Sequence, residues 1–365
     1  MDAHARSIAR AVKPGDVVLD LGSGTGVFSL LAVRAGAKHV YAVDTNPAIW
    51  LIPELAAENG AAGKITIHHG SSLEFEPPEK VDVIIADMRG TSPLHGGQTS
   101  ALRDARTRWL KPGGIMIPAR DRLFVEVVES EYLAGRLARG WESFERLGLS
   151  ATAARASVLN AVYNDSACPL LASDGLTTAA EWATLDYASY DGSVLDGTVE
   201  LAVTRGGTAN GLAVWFEANL LDDITYRTAP GWSLAYSRVY LPLLEPVRVE
   251  AGERARVTVR ADARGDRWAW ETELFDAKGG ARARFKQSTF FGNPTAPQAL
   301  LRSATTHQPV LSDKGERLKR LLAAMDGKRT VAELVEELER TLPPGSALRG
   351  KLLEEVRDAV DSYAR

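Results

Sequence analysis

Residues 17–26 read Val-Val-Leu-Asp-Leu-Gly-Ser-Gly-Thr-Gly. No other stretch of the chain constrains the fold as strongly. An apolar run ends at Asp20, and glycines then stand at 22, 24 and 26. The run predicts a buried strand, and the glycines let the backbone turn tightly and approach a ligand with no Cβ in the way. Residues 27–36 predict a helix that begins on this turn and stops at Gly36. The amide N–H groups at its start face whatever the turn holds. The next strand, 39–43, ends in a second acid, Asp44, placed to accept hydrogen bonds from a sugar diol.

The alternation continues. A helix is expected over 47–59, strands over 64–69 and 81–86, a helix over 99–110 and a strand over 115–117. The 81–86 run is apolar almost throughout, as in a strand buried on both faces. Strand and helix in turn, with short connections, predict a doubly wound α/β sheet. After Pro118 the texture changes. Residues 123–128, 198–204, 212–220, 239–244, 255–260 and 268–274 read as strands separated by glycine-bearing turns, which predicts an antiparallel sandwich or barrel. Trp182, Trp215, Trp232, Trp268 and Trp270 fall in this part, where core and rim packing is their ordinary use. Residues 292–310 carry three prolines and read as a linker. Beyond them Leu318, Leu321, Leu322 and Met325 share one helical face, and Thr330 with Glu333 forms a capping box. Pro343-Pro344 stops that helix, and Leu352, Leu353, Val356 and Val360 mark a last one. The expected domains are therefore 1–118, 119–292 and 305–365.

Composition closes off several classes. The 365 residues include 43 basic and 47 acidic side chains, a net charge of -4, so no basic surplus argues for nucleic acid. The one cysteine, Cys168, permits neither an intrachain disulfide nor a cysteine metal cluster, and a cytoplasmic setting is expected. The first fifteen residues have no apolar core of a signal peptide, and no run is long enough to span a bilayer. No metal, nucleic acid or membrane is expected as a partner.

The glycine spacing argues for one kind of cofactor. A dinucleotide turn has the pattern G-x-G-x-x-G, whereas this chain has G-x-G-x-G. Asp20 stands just before the first glycine, where a carboxylate repels a pyrophosphate and attracts a cation. S-adenosylmethionine carries a sulfonium and an ammonium and has no phosphate. VLDLGSGTG resembles the first motif of the class I S-adenosylmethionine-dependent methyltransferases; YAVD and WLKPGGIMIP resemble their second acidic position and late turn-strand element. The resemblance implies a Rossmann-like sheet, with S-adenosylhomocysteine as product. It places the methionine end near Asp20, Gly22 and Gly24, the ribose on Asp44 and the adenine near Ser71 and Ser72. Ser23, Thr25, Gly26 and Asp87 complete the expected cofactor set.

Longer stretches, ALRDARTRWLKPGGIMIPARDRLFVEVVES, GLAVWFEANLLDDITYRTAPGW and VYLPLLEPVRVEAGERARVTV, resemble the protein arginine methyltransferases over residues 20–290. This implies an antiparallel β-barrel domain behind the Rossmann-like sheet, a dimerisation arm within 150–180, and a homodimer. That family grips its guanidinium with two glutamates. Here ADMRG puts Asp87 at the first, Gly96 stands at the second, and Gly231-Trp232 lacks the histidine of the family's His-Trp pair. The chain starts close to its first strand, so the family's N-terminal helix over the cofactor is expected to have no counterpart. The architecture is implied; arginine as substrate is not. Asp87, Arg89, Ser92, His95 and Trp232 remain at the mouth of the expected site. Asp87 and His95 could orient and deprotonate a nucleophile, and Arg89 could hold a substrate carboxylate. The plainer readings are a turn cap for Asp87, an ordinary loop histidine for His95 and a surface charge for Arg89.

Residues 307–340 are similar to the helical part of PqqD-like domains, on a DG-x-x-T-V-x-E-L turn, without the strands that usually precede it. The resemblance implies a small helical domain that binds the leader of a ribosomally made peptide. The residues thus point to methylation of a side chain or terminus of a peptide or protein; the alternatives are a small-molecule N- or O-methyltransferase and a non-catalytic scaffold.

Overall fold

The computed structural model of the protein describes residues 1–95, 97–232, 235–263, 267–342, 346 and 349–364. It divides into two compact units, Met1–Pro294 and Thr295–Arg365.

The first unit opens with α1 (Asp2–Ala11), β1 (Val17–Leu21), α2 (Val27–Ala35), β2 (His39–Asp44), α3 (Ile52–Glu58), β3 (Ile65–His69), β4 (Val81–Ala86), α4 (Gln98–Arg108) and β5 (Leu110–Ile117). The five strands form one parallel sheet in the order β3-β2-β1-β4-β5. Every residue of β1 is buried, which is why that strand is apolar without alternation. The connections out of β1 and β4 run to opposite sides, so the two strand ends diverge at the C-terminal edge. Ligands of doubly wound sheets sit at such a switch point. Gly36 ends α2 at φ +114°, a conformation that a residue with a Cβ rarely takes. The helix expected over 99–110 stops at Arg108; Leu110 through Gly114 extends β5, where a turn was expected.

The chain continues through β6 (Arg120–Val128), α5 (Glu131–Arg146), α6 (Thr152–Leu159), β7 (Tyr163–Asn164), β8 (Ala180–Asp186), β9 (Leu195–Ala202), β10 (Gly207–Leu221), β11 (Ile224–Arg227), β12 (Val239–Val249), β13 (Arg254–Asp262), β14 (Arg267–Phe275), β15 (Ala281–Ser288) and α7 (Thr289–Gly292). These strands form two antiparallel sheets, β7-β12-β10-β6-β8 with β11 on β10, and β15-β14-β13-β9. Leu123, Val125, Val127, Leu212, Val214, Val257 and Val259 meet in one core with Trp182, Trp268 and Trp270. Burying each of these side chains contributes about 1.5–3 kcal/mol. The sheets come close at Gly197, where an added Cβ would lie 1.8 Å from the Trp182 carbonyl oxygen. Strands β8 and β15 were not expected from the sequence. Trp215, by contrast, stacks on Phe124 at 4.4 Å, outside that core.

The second unit holds α8 (Pro297–Arg302), α9 (Asp313–Ala324), α10 (Val331–Thr341) and α11 (Leu352–Tyr363). The first of these lies inside the stretch expected to be linker. Leu321, Ala324, Leu334, Leu338, Leu352, Val356 and Ala359 make its core, while Leu322, expected on that face, is exposed. Thr330 and Glu333 cap α10 reciprocally. Pro343 and Pro344, expected to stop this helix, lie outside the described residues. Among the described residues no helix is long and apolar enough to cross a membrane.

Candidate functional site

The glycine turn leaves β1 and is stitched to β2. Gly22 N–H donates to the Val43 carbonyl at 2.8 Å, and Gly26 N–H closes the turn on the Ser23 carbonyl at 2.8 Å. Gly22 has φ +71°, and an added Cβ there would meet the Met88 side chain at 2.4 Å. Asp44 accepts from Gly24 N–H and Asn46 N–H, both at 2.7 Å. The acid expected on a diol thus also braces the turn, with lone pairs remaining on both oxygens.

In front of the turn lies an open cleft of about 230 Å³, lined by Leu21, Gly22, Val43, Asp44, Thr45, Gly70, Ser71, Ser72, Leu73, Met88, Gly97, Ser100 and Ala101. Of the expected cofactor residues, Gly22, Asp44, Ser71 and Ser72 line it; Ser23, Gly24, Thr25 and Gly26 form the turn beside it. Asp20 is fully buried at the end of β1 and accepts from Ser29 Oγ at 2.6 Å through one oxygen. Its other oxygen, Oδ1, has no partner among the described residues, nor has the buried Ser23 hydroxyl. Burial pushes the Asp20 carboxyl up to about 7, against the Ser29 hydrogen bond. An unsatisfied buried carboxylate beside an open cleft fits a cationic ligand, as S-adenosylmethionine is.

Asp87 follows β4 at the same sheet edge, one residue before Met88. Its Oδ1 accepts from Arg89 Nη1 at 2.7 Å, and its Oδ2 accepts from the Tyr236 hydroxyl. Arg89 is 0% exposed. Its Nε donates to Asp121 Oδ2 at 2.9 Å, its Nη1 also donates to the Tyr226 hydroxyl at 3.0 Å, and its carbon centre lies 5.7 Å from the rings of Phe216 and Tyr226. Burial opposes its charge, but Asp121, Tyr226 and Asp87 outweigh it and keep the guanidinium firmly protonated. Neither expectation for Arg89 survives. It is not a surface charge, and it is not at the mouth, because Asp121 draws it into the base of the site. Asp121 Oδ2 further accepts from the Tyr187 hydroxyl at 2.6 Å; that hydroxyl accepts from Gln98 Nε2 at 2.8 Å, and Gln98 Oε1 accepts from Met88 N–H at 2.7 Å. The loop from Met88 to Gln98 is therefore closed on itself and tied to β6.

His4 was not anticipated. Helix α1 buries His4, Ser7, Ile8 and Ala11 on one face. The N-terminal helix thus reaches the acid side of the site, although no residue ahead of β1 stood among the expected site residues. The imidazole stacks on Phe28 of α2 at 4.8 Å, and its Nε2 stands 3.5 Å from Asp87 Oδ2. Burial, helped by Arg89 and opposed by Asp87, lowers its pKa to about 4, so it is neutral at pH 7. His95 points elsewhere: its ring lies 5.7 Å from Trp268 of β14. Ser92 is buried and accepts from Leu94 N–H. Trp232 is 49% exposed, under the Arg227 guanidinium at 4.7 Å. Its loop is held by Arg238, which donates to the Thr228, Ala229 and Trp232 carbonyls and pairs with buried Asp165. Gly96, the other expected acceptor position, lies outside the described residues. One signal for Asp121 was present. It shares strand parity with Leu123, Val125 and Val127, an acid on an apolar face.

The model of the ribosomal protein L11 methyltransferase (PrmA) family matches residues 5–117. The chain is 29% identical over 250 residues to a probable histone-arginine methyltransferase CARM1 of Oryza sativa subsp. indica, covering 66% of this chain and 47% of that protein. It is 28% identical over 244 residues to protein arginine N-methyltransferase 6 of Xenopus tropicalis, covering 65% and 72%. The chain thus spans about half the length of the rice relative. Among solved structures, protein arginine methyltransferase 10 of Arabidopsis thaliana superposes with a TM-score of 0.68 at 21% identity, covering 79% of this chain and 93% of that one. The PRMT1 enzyme-prozyme heterotetrameric complex of Trypanosoma brucei with AdoHcy gives 0.66 at 22% identity, with the same coverage.

Asp20 supplies a testable consequence. A carboxyl whose folded pKa is raised holds its proton more tightly folded than unfolded, so its cost to stability appears as pH climbs from about 4 to 7 and persists above. Asp20→Asn is expected to leave the ligand-free protein more stable at pH 8, by up to about 4 kcal/mol, and nearly unchanged at pH 4. Denaturant titration at the two pH values checks this; equal effects at both would contradict it.

Proposed function

The chain carries the class I S-adenosylmethionine-dependent methyltransferase fold in its arginine-methyltransferase-like form, and on that premise we propose that it methylates a side chain or terminus of a peptide or protein. The observation that supports this most is the placing of Asp87. It stands at the sheet edge beside the glycine turn, and its other side is walled by Tyr226 and Tyr236 of the antiparallel part. A cleft for a cationic cofactor and an acid for a nucleophile thus share one rim.

Gly22, Asp44, Ser71 and Ser72 would hold the cofactor, with Asp20 beneath its charged end. When bound, S-adenosylmethionine supplies a methyl group on a positively charged sulfur. The chain's own part is to position and to exclude water. Asp87 orients the nucleophile by accepting its proton-bearing atom. Arg89 and Tyr236 fix the carboxylate so that little reorganisation is left for the reaction. His4, stacked on Phe28 and tilted against Tyr226, gives one side of Asp87 a wall of low polarity.

The finer reading, a ribosomally made peptide as substrate, rests on the likeness of the C-terminal helices alone. In that reading the second unit tethers the peptide and raises its local concentration. Methyl-labelled S-adenosylmethionine added with an extract of the source cells, followed by mass spectrometry, tests the main proposal. Label is expected in a peptide or protein, with at least a hundredfold loss in Asp87→Ala; label confined to small metabolites, or unaffected by the substitution, would contradict it. In the same assay, a chain lacking 305–365 is expected to keep cofactor affinity and to need about tenfold more peptide substrate. Unchanged dependence on substrate concentration would remove the tethering role.

A further inference from the structure

The state of Asp87 says what kind of nucleophile can dock there; the inference rests on the methyl-transfer proposal. A carboxylate grips a guanidinium through two parallel N–H···O bonds, one to each oxygen. Both oxygens of Asp87 already accept from the chain itself, Oδ1 from Arg89 Nη1 at 2.7 Å and Oδ2 from the Tyr236 hydroxyl. The internal guanidinium cannot swing aside to make room. It is 0% exposed, held from behind by Asp121 at 2.9 Å and flanked by the rings of Phe216 and Tyr226. Moving it would strand both it and Asp121 as uncompensated buried charges. The remaining neighbour of Asp87, His4, carries no charge at neutral pH.

A second cation reaching Asp87 would therefore lie within a few ångströms of a fixed one, at a short range where repulsion between like charges is large. A neutral group meets no such repulsion. It can donate its N–H or O–H to a lone pair left on Asp87 while its own lone pair stays free. We infer that Arg89 is a resident guanidinium that selects an uncharged N–H or O–H nucleophile over an arginine or lysine side chain. In the transfer, the nucleophile's lone pair bonds to the methyl carbon as the carbon–sulfur pair returns to sulfur, and the displaced proton passes to Asp87. Arg89 acts here as a positioning and specificity residue; Asp87 is the group that touches the substrate.

The test uses glycine-rich peptides with one central residue, read by calorimetry with and without S-adenosylhomocysteine. Citrulline and arginine at the centre differ in charge and hardly in shape. The full-length protein is expected to bind the citrulline peptide at least about tenfold more tightly than its arginine twin. The double variant Arg89→Met with Asp121→Asn removes the internal cation together with its partner, so no lone buried charge is left. It is expected to move the preference at least about tenfold toward arginine. Arginine binding as well as citrulline to the unaltered protein, an unchanged preference in the double variant, or no binding of either peptide would each overturn the inference. Failure of the methyl-transfer proposal shows separately, as loss of S-adenosylhomocysteine binding by the unaltered protein.

Discussion

The buried pair of Arg89 and Asp121 is the interaction on which the rest of the site depends. The two residues lie 32 positions apart in the chain, on the loop after β4 and on the first antiparallel strand. Neither has any exposed side-chain surface. Two charges out of water are tolerated only when matched and hydrogen-bonded. The pair meets most of this condition through Tyr187, Tyr226 and Asp87, with only Arg89 Nη2 and Asp121 Oδ1 lacking a hydrogen-bond partner among the described residues, and it joins the parallel sheet to the antiparallel one. Asp87 is fixed as a by-product. Its orientation is set by Arg89 from one side and Tyr236 from the other, and Arg89, two residues on in the same loop, is itself held by Asp121 of β6 and Tyr226 of β11.

The cofactor side shows the opposite use of a buried acid. Asp20 has one hydroxyl donor and an oxygen with no hydrogen-bond partner among the described residues, so folding leaves a cost in place. Such a cost is relieved by a ligand that brings positive charge. The site thus combines a buried carboxylate matched by a guanidinium, which defines geometry, with one that has no cationic partner among the described residues, which defines affinity. Asp44 stands between these cases, already used on two backbone amides yet able to accept more.

Much of the architecture was legible in the sequence because it is written in local pattern. The apolar run before the glycines and the acid ending the next strand gave the parallel sheet. Alternation with glycine turns gave antiparallel strands, and the Thr330–Glu333 box gave a helix start that the structure shows closing reciprocally. Strand β8 escaped because AEWATLD alternates weakly, and β15 because two of the three apolar residues in its alternation ARARFK are alanines, which carry little strand preference. The site was legible only in part. Asp87 could be placed by its position after a buried strand. Arg89 could not, because its partner lies in another sheet and nothing local distinguishes a buried arginine from a solvated one. His4 was hidden for the same reason: a short polar helix says nothing of the surface it will meet. Asp121 alone left a trace, as an acid on the apolar parity of β6.

The central claim, that Arg89 and Asp121 form one buried unit that holds the site, is tested most directly by a double-mutant cycle on folding stability. Arg89→Met and Asp121→Asn are compared singly and together by denaturant unfolding. Each single change strands a buried charge, so each is predicted to cost roughly 3–5 kcal/mol, and the double variant is predicted to cost less than either alone. Costs that simply add would contradict the account, because they would mean that the two side chains stabilise the protein independently.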